Sequence, residues 1–205
     1  MNISISKQQL AAMPAAHYAG AIRVIDRPED AQHAVDVLKD ADLIGFDTET
    51  RPSFKKGQNF KVALMQLATS EVCFLFRLNK IGLPEPLKEL LQNPDILKIG
   101  LSTKDDFRNL RKVWNIEPAG FVELQDYVTG WNILDKSLSK LYGILFGQRL
   151  SKTQRLSNWE AETLSEAQMH YASLDALACI QIYSHLRDGK FNPENSEFQI
   201  ESPAL

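Results

Sequence analysis

Two spacings of apolar residues take turns along the chain. Residues 21–25, AIRVI, form a short β-branched run that reads as a strand. The following DAQHAVDVL, opened by Pro28, sets Ala31, Ala34, Val35 and Leu38 on one face of a helix. ADLIGFDTET is an apolar strand that runs into two acids. KVALMQLAT (61–69) and VCFLF (72–76) are separated by Ser70-Glu71, the spacing of a hairpin. PEPLKELLQ reads as a helix and ILKIGL (96–101) as a buried strand. KDDFRNLRKVW reads as a second amphipathic helix, with Phe107, Leu110 and Trp114 at helical spacing. From Glu123 to Trp159 the pattern gives helices joined by a polar, basic loop, GQRLSKTQRLSN, and one long helix follows.

Early strands with a hairpin, then alternating strand and helix, predict an α/β fold: a mixed sheet flanked by helices. Residues 1–20 are expected as a loosely held arm, 21–187 as the folded domain, and 188–205 (DGKFNPENSEFQIESPAL) as an irregular tail. A chain of 205 residues allows one domain with a sizeable core and little left for a second.

Composition, 44% hydrophobic and 24% charged, is that of an ordinary globular protein. Cys73 and Cys179 both sit in apolar runs and read as buried thiols of a reducing compartment. The N-terminal residues lack the basic start and apolar run of a signal peptide, and no apolar stretch reaches the roughly 20 residues that cross a bilayer. A cytoplasmic protein without a membrane partner is the expectation. The net charge of −3 provides no global basic field and weighs against a large non-specific nucleic-acid surface, though not against a local basic rim.

The chemistry concentrates at acids. In LIGFDTET, period-two geometry sends Asp47 and Glu49 to the same face, with Thr48 opposite. Two carboxylates at the mouth of a buried strand repel each other unless a cation neutralises them or one stays protonated. Carboxylate oxygens suit Mg²⁺ or Mn²⁺. The plainer alternative is a solvated strand end.

HYASLDA (170–176) places a histidine and a tyrosine ahead of Asp175. Ser165 with Gln168 fits a capping box, so the helix starts before both rings. Tyr171 and Asp175 are then about 40° apart around the axis, whereas His170 and Asp175 are about 140° apart. The tyrosine is the ring expected against the carboxylate. Asp175 itself lies in LDALACI with no basic neighbour in sequence, and a buried charge needs pairing or a metal. Asp105 and Asp106 fall in a first helical turn, where acids commonly complement the helix dipole; either could project into the mouth of the sheet.

Four elements in order, strand-FDTE, KVALMQL, GLSTKDDFRNL and YASLD, resemble the exonuclease domain of the DEDD superfamily, tyrosine subclass, as found in ribonuclease D and the Werner syndrome helicase. The resemblance spans nearly the whole chain, roughly residues 20 to 187. It implies a ribonuclease H-like fold and hydrolysis of nucleic acid from an accessible 3′ end by two divalent metal ions, Mg²⁺ or Mn²⁺. By that likeness Asp47 resembles the acid bridging both ions, and Glu49 and Asp175 resemble ligands of the first. Asp106, followed by Phe107 and by Leu110 four positions on, resembles the outer acid that holds the second largely through water. Tyr171 resembles the residue that orients the attacking water.

Substrate contacts are expected from Thr48 and from Arg51, Lys55, Lys56 and Lys61, with Phe54 and Phe60 interleaved. A second set lies in the loop from Arg149 to Arg155, with Lys152 between. Basic side chains hold phosphates and an aromatic ring can stack on a terminal base. Two other functions fit the same residues: a catalytically silent binding or interaction module, and a structural cation site.

Overall fold

The structure is a computed structural model that describes residues 1–55, 58 and 60–201. In chain order it begins with β1 (Asn2–Ile3), α1 (Lys7–Ala12), β2 (Ala21–Ile25), α2 (Ala31–Lys39), β3 (Ile44–Thr50), β4 (Val62–Ala68), β5 (Val72–Phe76) and α3 (Leu78–Ile81). It continues with α4 (Glu85–Gln92), β6 (Lys98–Gly100), α5 (Thr103–Arg111), β7 (Phe121–Glu123), α6 (Leu124–Tyr127), α7 (Leu138–Phe146), α8 (Glu166–Arg187) and β8 (Gln199–Ile200).

Six strands form one mixed sheet in the order β2-β5-β4-β3-β6-β7. The central β5, β4 and β3 run antiparallel, while β2, β6 and β7 join in parallel. The hairpin at Ser70-Glu71 is closed by Thr69, whose N–H donates to the Val72 carbonyl at 2.8 Å. Side chains alternate across the sheet as period two requires. On β4, Leu64 and Ala68 face the core beneath α7 and α8, while Met65 and Leu67 face α2 and α4. The fold class expected from the hydrophobic pattern is the one observed.

Gly45 explains how α8 reaches the sheet. A Cβ there would lie 2.0 Å from the Ala176 carbonyl oxygen, so only glycine lets the helix backbone press against β3. That approach fixes Asp175, the neighbour of Ala176, close to Asp47, two residues along the strand on the same face.

Two expectations are corrected at the ends of the domain. Residues 1–20 are not a loose arm: β1 pairs antiparallel with β8, and Ile3 and Ile5 are fully buried in the main core. The Ile5 N–H and the Ser4 hydroxyl both donate to Asp135, at 2.9 and 3.0 Å. The alternation in NISIS carried this signal, but two isoleucines are too short a run to separate from loop. The tail, expected as irregular, contributes β8 and buries Phe198.

In the middle of the chain FVE forms the edge strand β7, and Glu123 both ends that strand and caps the short helix α6, accepting the Gln125 N–H at 3.0 Å. α5 stops at Arg111, and Trp114 reaches the same core as Phe107 and Leu110 from beyond the helix end. Among the described residues no helix is long and apolar enough to cross a membrane.

Candidate metal centre and active site

Asp47, Glu49 and Asp175 each present a carboxylate oxygen within 4.8 Å of the other two. β3 supplies the first pair from one face, and α8 supplies the third across the contact at Gly45. Just beyond them the register of β3 and β4 shifts between Glu49 and Thr50, which ends regular pairing at the mouth of the site.

The crowding sets the charge states. Burial, then the charges of Glu49, Asp175 and Asp106, hold the Asp47 carboxyl well above the usual carboxylate range. Burial with the Asp175 and Asp106 charges pushes Glu49 up to about 9, partly offset by Arg155. Burial raises Asp175 to about 7 against the opposing pull of the Tyr171 hydroxyl and Lys152. A site of clustered oxygen donors that cannot all ionise alone matches the chemistry of a hard divalent cation, Mg²⁺ or Mn²⁺. The residues therefore fit such ions.

Ser165 caps α8 through the Gln168 N–H, and Gln168 bonds back to the Ser165 N–H at 3.0 Å, so both rings of the histidine-tyrosine pair lie inside the helix. Tyr171 turns its phenol to Asp175. Burial and the surrounding acids raise its pKa far above the ordinary tyrosine value, so the group keeps its proton and acts as a donor. His170 is exposed on another side of the helix, edge-on to Tyr18 with ring centroids 6.4 Å apart. Behind Tyr171 stands Trp159, fully buried, its ring centroid 6.0 Å away.

The acids of α5 separate cleanly. Asp105 is exposed and pairs with Arg108 at 2.8 Å. Asp106 is partly buried, and the Thr48 hydroxyl donates to it at 2.5 Å. Burial lifts Asp106 to about 7, which the Thr48 bond moderates. Thr48, expected among the substrate contacts, thus commits its hydroxyl to an acid. Asp106 stands outside the tight trio but close enough for its charge to act on Asp47 and Glu49.

Sequence reasoning missed the residue that seats this helix. The Glu123 carboxylate accepts the Ser102 N–H at 2.9 Å, the Thr103 N–H at 2.8 Å and the Thr103 hydroxyl at 2.9 Å. It satisfies the otherwise orphaned first N–H groups of α5 from a different strand, while Ser102 takes a left-handed backbone with φ 62°. A cap that comes from twenty residues downstream leaves no local motif. Gln66 was also missed: it lies across from Asp47 in the β3–β4 register, buried, with no hydrogen-bond partner among the described residues.

Of the basic candidates, Lys152 and Arg155 come to the site: both are exposed, and their charges act on Asp175 and Glu49. Their loop is stapled from behind. The buried Arg77 donates to the Ala161 carbonyl at 2.5 Å, and Gln168 donates to the Ser157 hydroxyl at 3.0 Å. Arg51 instead pairs with Glu160 at 3.3 Å and lies over the Phe60 ring at 5.0 Å. Phe54, 82% exposed, and the exposed Lys55 make no hydrogen bond or ion pair with the acids among the described residues. Lys61 is exposed, and Lys56 lies outside the described residues.

The family model of a 3′-5′ exonuclease matches residues 22–189, a stretch that contains all four acids and the tyrosine. The chain belongs to that family. It is 36% identical over 160 residues to the mouse bifunctional 3′-5′ exonuclease/ATP-dependent helicase WRN, covering 73% of this chain and 11% of that protein. The exonuclease domain therefore spans a small part of that curated relative. Among solved structures it resembles the EXO domain of Aedes aegypti Nibbler, with TM-score 0.76 and 21% identity over 88% of this chain and 96% of that one. It also resembles Escherichia coli RNase D, with TM-score 0.72 and 21% identity over 82% of this chain and 44% of that one. These likenesses establish the ribonuclease H-like fold of the domain.

Proposed function

We propose that the chain is a metal-dependent 3′→5′ exonuclease that removes nucleotides from accessible 3′ ends of DNA or RNA. The carrying observation is the trio of carboxylates within 4.8 Å, with a protonated tyrosine facing one of them. In this reading Asp47, Glu49 and Asp175 would together hold a divalent ion, Mg²⁺ or Mn²⁺, and Asp106 with Asp47 would hold a second. When bound, such ions activate a water and stabilise the leaving 3′ oxygen of an in-line displacement.

The chain's own residues do the rest. With substrate in place the Tyr171 hydroxyl turns its proton from Asp175 to the attacking water and aims that water at the phosphorus. Trp159 backs the ring and limits its motion, and Thr48 steadies Asp106. Lys152 and Arg155 neutralise phosphates of the incoming strand, and Phe54 and Lys55 provide a base-stacking and phosphate-binding edge. The description of the bacterial neighbour as an exoribonuclease and the helicase coupling of the mouse relative support nucleic acid as the partner class.

Linear and circularised single strands of one sequence test the reading. Mononucleotide release from the linear strand alone, requiring a divalent ion, is the expected result. Equal cleavage of the circle would point to an endonuclease, and release from neither would leave a silent binding module.

A further inference from the structure

A cavity of about 530 Å³ adjoins the active site on the side away from β3 and shares Tyr171 and Asp175 with it. Its opposite wall is the segment 15–18, which precedes the stretch matched by the family model. That wall is firmly built. Ala15 bridges to Arg149 as in a parallel sheet, with the Arg149 N–H donating to the Pro14 carbonyl at 2.9 Å and the Ala16 N–H to the Arg149 carbonyl at 3.0 Å. The Arg149 side chain donates to the Met13 carbonyl at 3.1 Å, and the buried Tyr18 donates its hydroxyl to the Ala21 carbonyl at 3.0 Å. The N-terminal segment and the basic loop are thereby one unit.

The chemistry inside is that of a flat, weakly polar guest. Besides Tyr171, the rings of His17, Tyr18 and His170 line it together with Thr153, and the two imidazoles are exposed at its rim. Volumes of this size suit a small organic group with a few polar edges. The phosphate-binding Lys152 sits on the same loop, next to Thr153 in sequence and within electrostatic reach of Asp175. A strand whose phosphates meet Lys152 carries its bases within reach of these rings, and aromatic rings hold bases with little regard to sequence.

We propose that this cavity, walled by the N-terminal segment, binds a nucleobase of the substrate's 3′-terminal dinucleotide between His17 and His170. The proposal rests on the exonuclease reading for the identity of the strand. His17 and His170 are binding residues here, distinct from the hydrolytic machinery.

The test pairs side-chain and base deletions. His17→Ala, His170→Ala and the double variant are compared with the wild type on 5′-fluorescein single strands, intact or lacking the last or the penultimate base. Binding is read by anisotropy with Ca²⁺ and turnover by nucleotide release with Mg²⁺. The double variant should bind intact strands about tenfold more weakly, a loss in the range of one base stack. KM should rise with kcat nearly unchanged. On one of the two abasic strands the wild type and the variant should bind equally. A loss of the same size on intact and on both abasic strands, or no loss at all, overturns the proposal. If the wild type binds in this base-dependent way yet releases no nucleotide, the cavity stands and the exonuclease reading falls.

Discussion

Asp47→Asn isolates the repulsion stored in the acid cluster. With carboxylate oxygens within 4.8 Å of one another, ionising one pair at an effective dielectric of about 20 would cost at least about 3 kcal/mol, the cost that makes Asp47 hold its proton and that an amide removes. A domain of this size moves by about 2–4 °C per kcal/mol, so relief of one pair should raise the melting temperature by about 6–12 °C in EDTA at pH 8. The pH course follows from the raised carboxyls. A group whose folded pKa exceeds its unfolded one contributes stability below the unfolded value and loses it as pH rises through the folded one. Glu49 rises from 4.5 to about 9, and Asp106 and Asp175 rise from 3.8 to about 7, so metal-free stability should fall across that interval. The gain in the variant should vanish near pH 4 and grow toward pH 9. Mn²⁺ at a thousandfold excess over Kd should reverse the order, because an ion that binds only the folded state then adds about 4.1 kcal/mol to the wild type. Differential scanning calorimetry at several pH values, with EDTA or Mn²⁺, reads all of this. An Asp47→Asn protein that melts no higher than wild type at pH 8 in EDTA refutes the reasoning.

Other consequences can be checked alongside it. Tyr171→Phe should lower kcat by about a hundredfold, the scale of losing one aimed hydrogen-bond donor, with Mn²⁺ stabilisation unchanged in calorimetry. Lys152→Ala with Arg155→Ala should flatten the salt dependence of single-strand binding, reducing the slope of log K against log salt by about 1.4 if each side chain meets one phosphate. Glu123→Gln weakens the charged cap on Ser102 and Thr103 and should cost about 1–2 kcal/mol in denaturant melts. It should also raise the Mg²⁺ concentration for half-activity, because Asp106 rides on the helix that Glu123 seats.

Much of this arrangement is written in local patterns. Period two alone puts Asp47 and Glu49 on one face, and the capping box at Ser165 fixes the phase of α8, so that Tyr171 and not His170 meets Asp175. Hydrophobic alternation likewise yields the β4–β5 hairpin and the apolar face of α2. What escaped is non-local or too short. β7 has three residues and β1 two, below the length at which periodicity is a signal. The tight contact of Gly45 on Ala176, the Glu123 cap and the Arg77 bond to Ala161 each join segments far apart in the chain, and no spacing announces them.

The most direct measurement follows a 5′-labelled single strand, as DNA and as RNA, through incubation with the protein and Mg²⁺ or Mn²⁺. The expected result is a ladder that shortens from the 3′ end and disappears with EDTA or in Asp47→Ala. A folded, metal-binding wild type that leaves both strands intact, or an Asp47→Ala variant as active as wild type, would contradict the account.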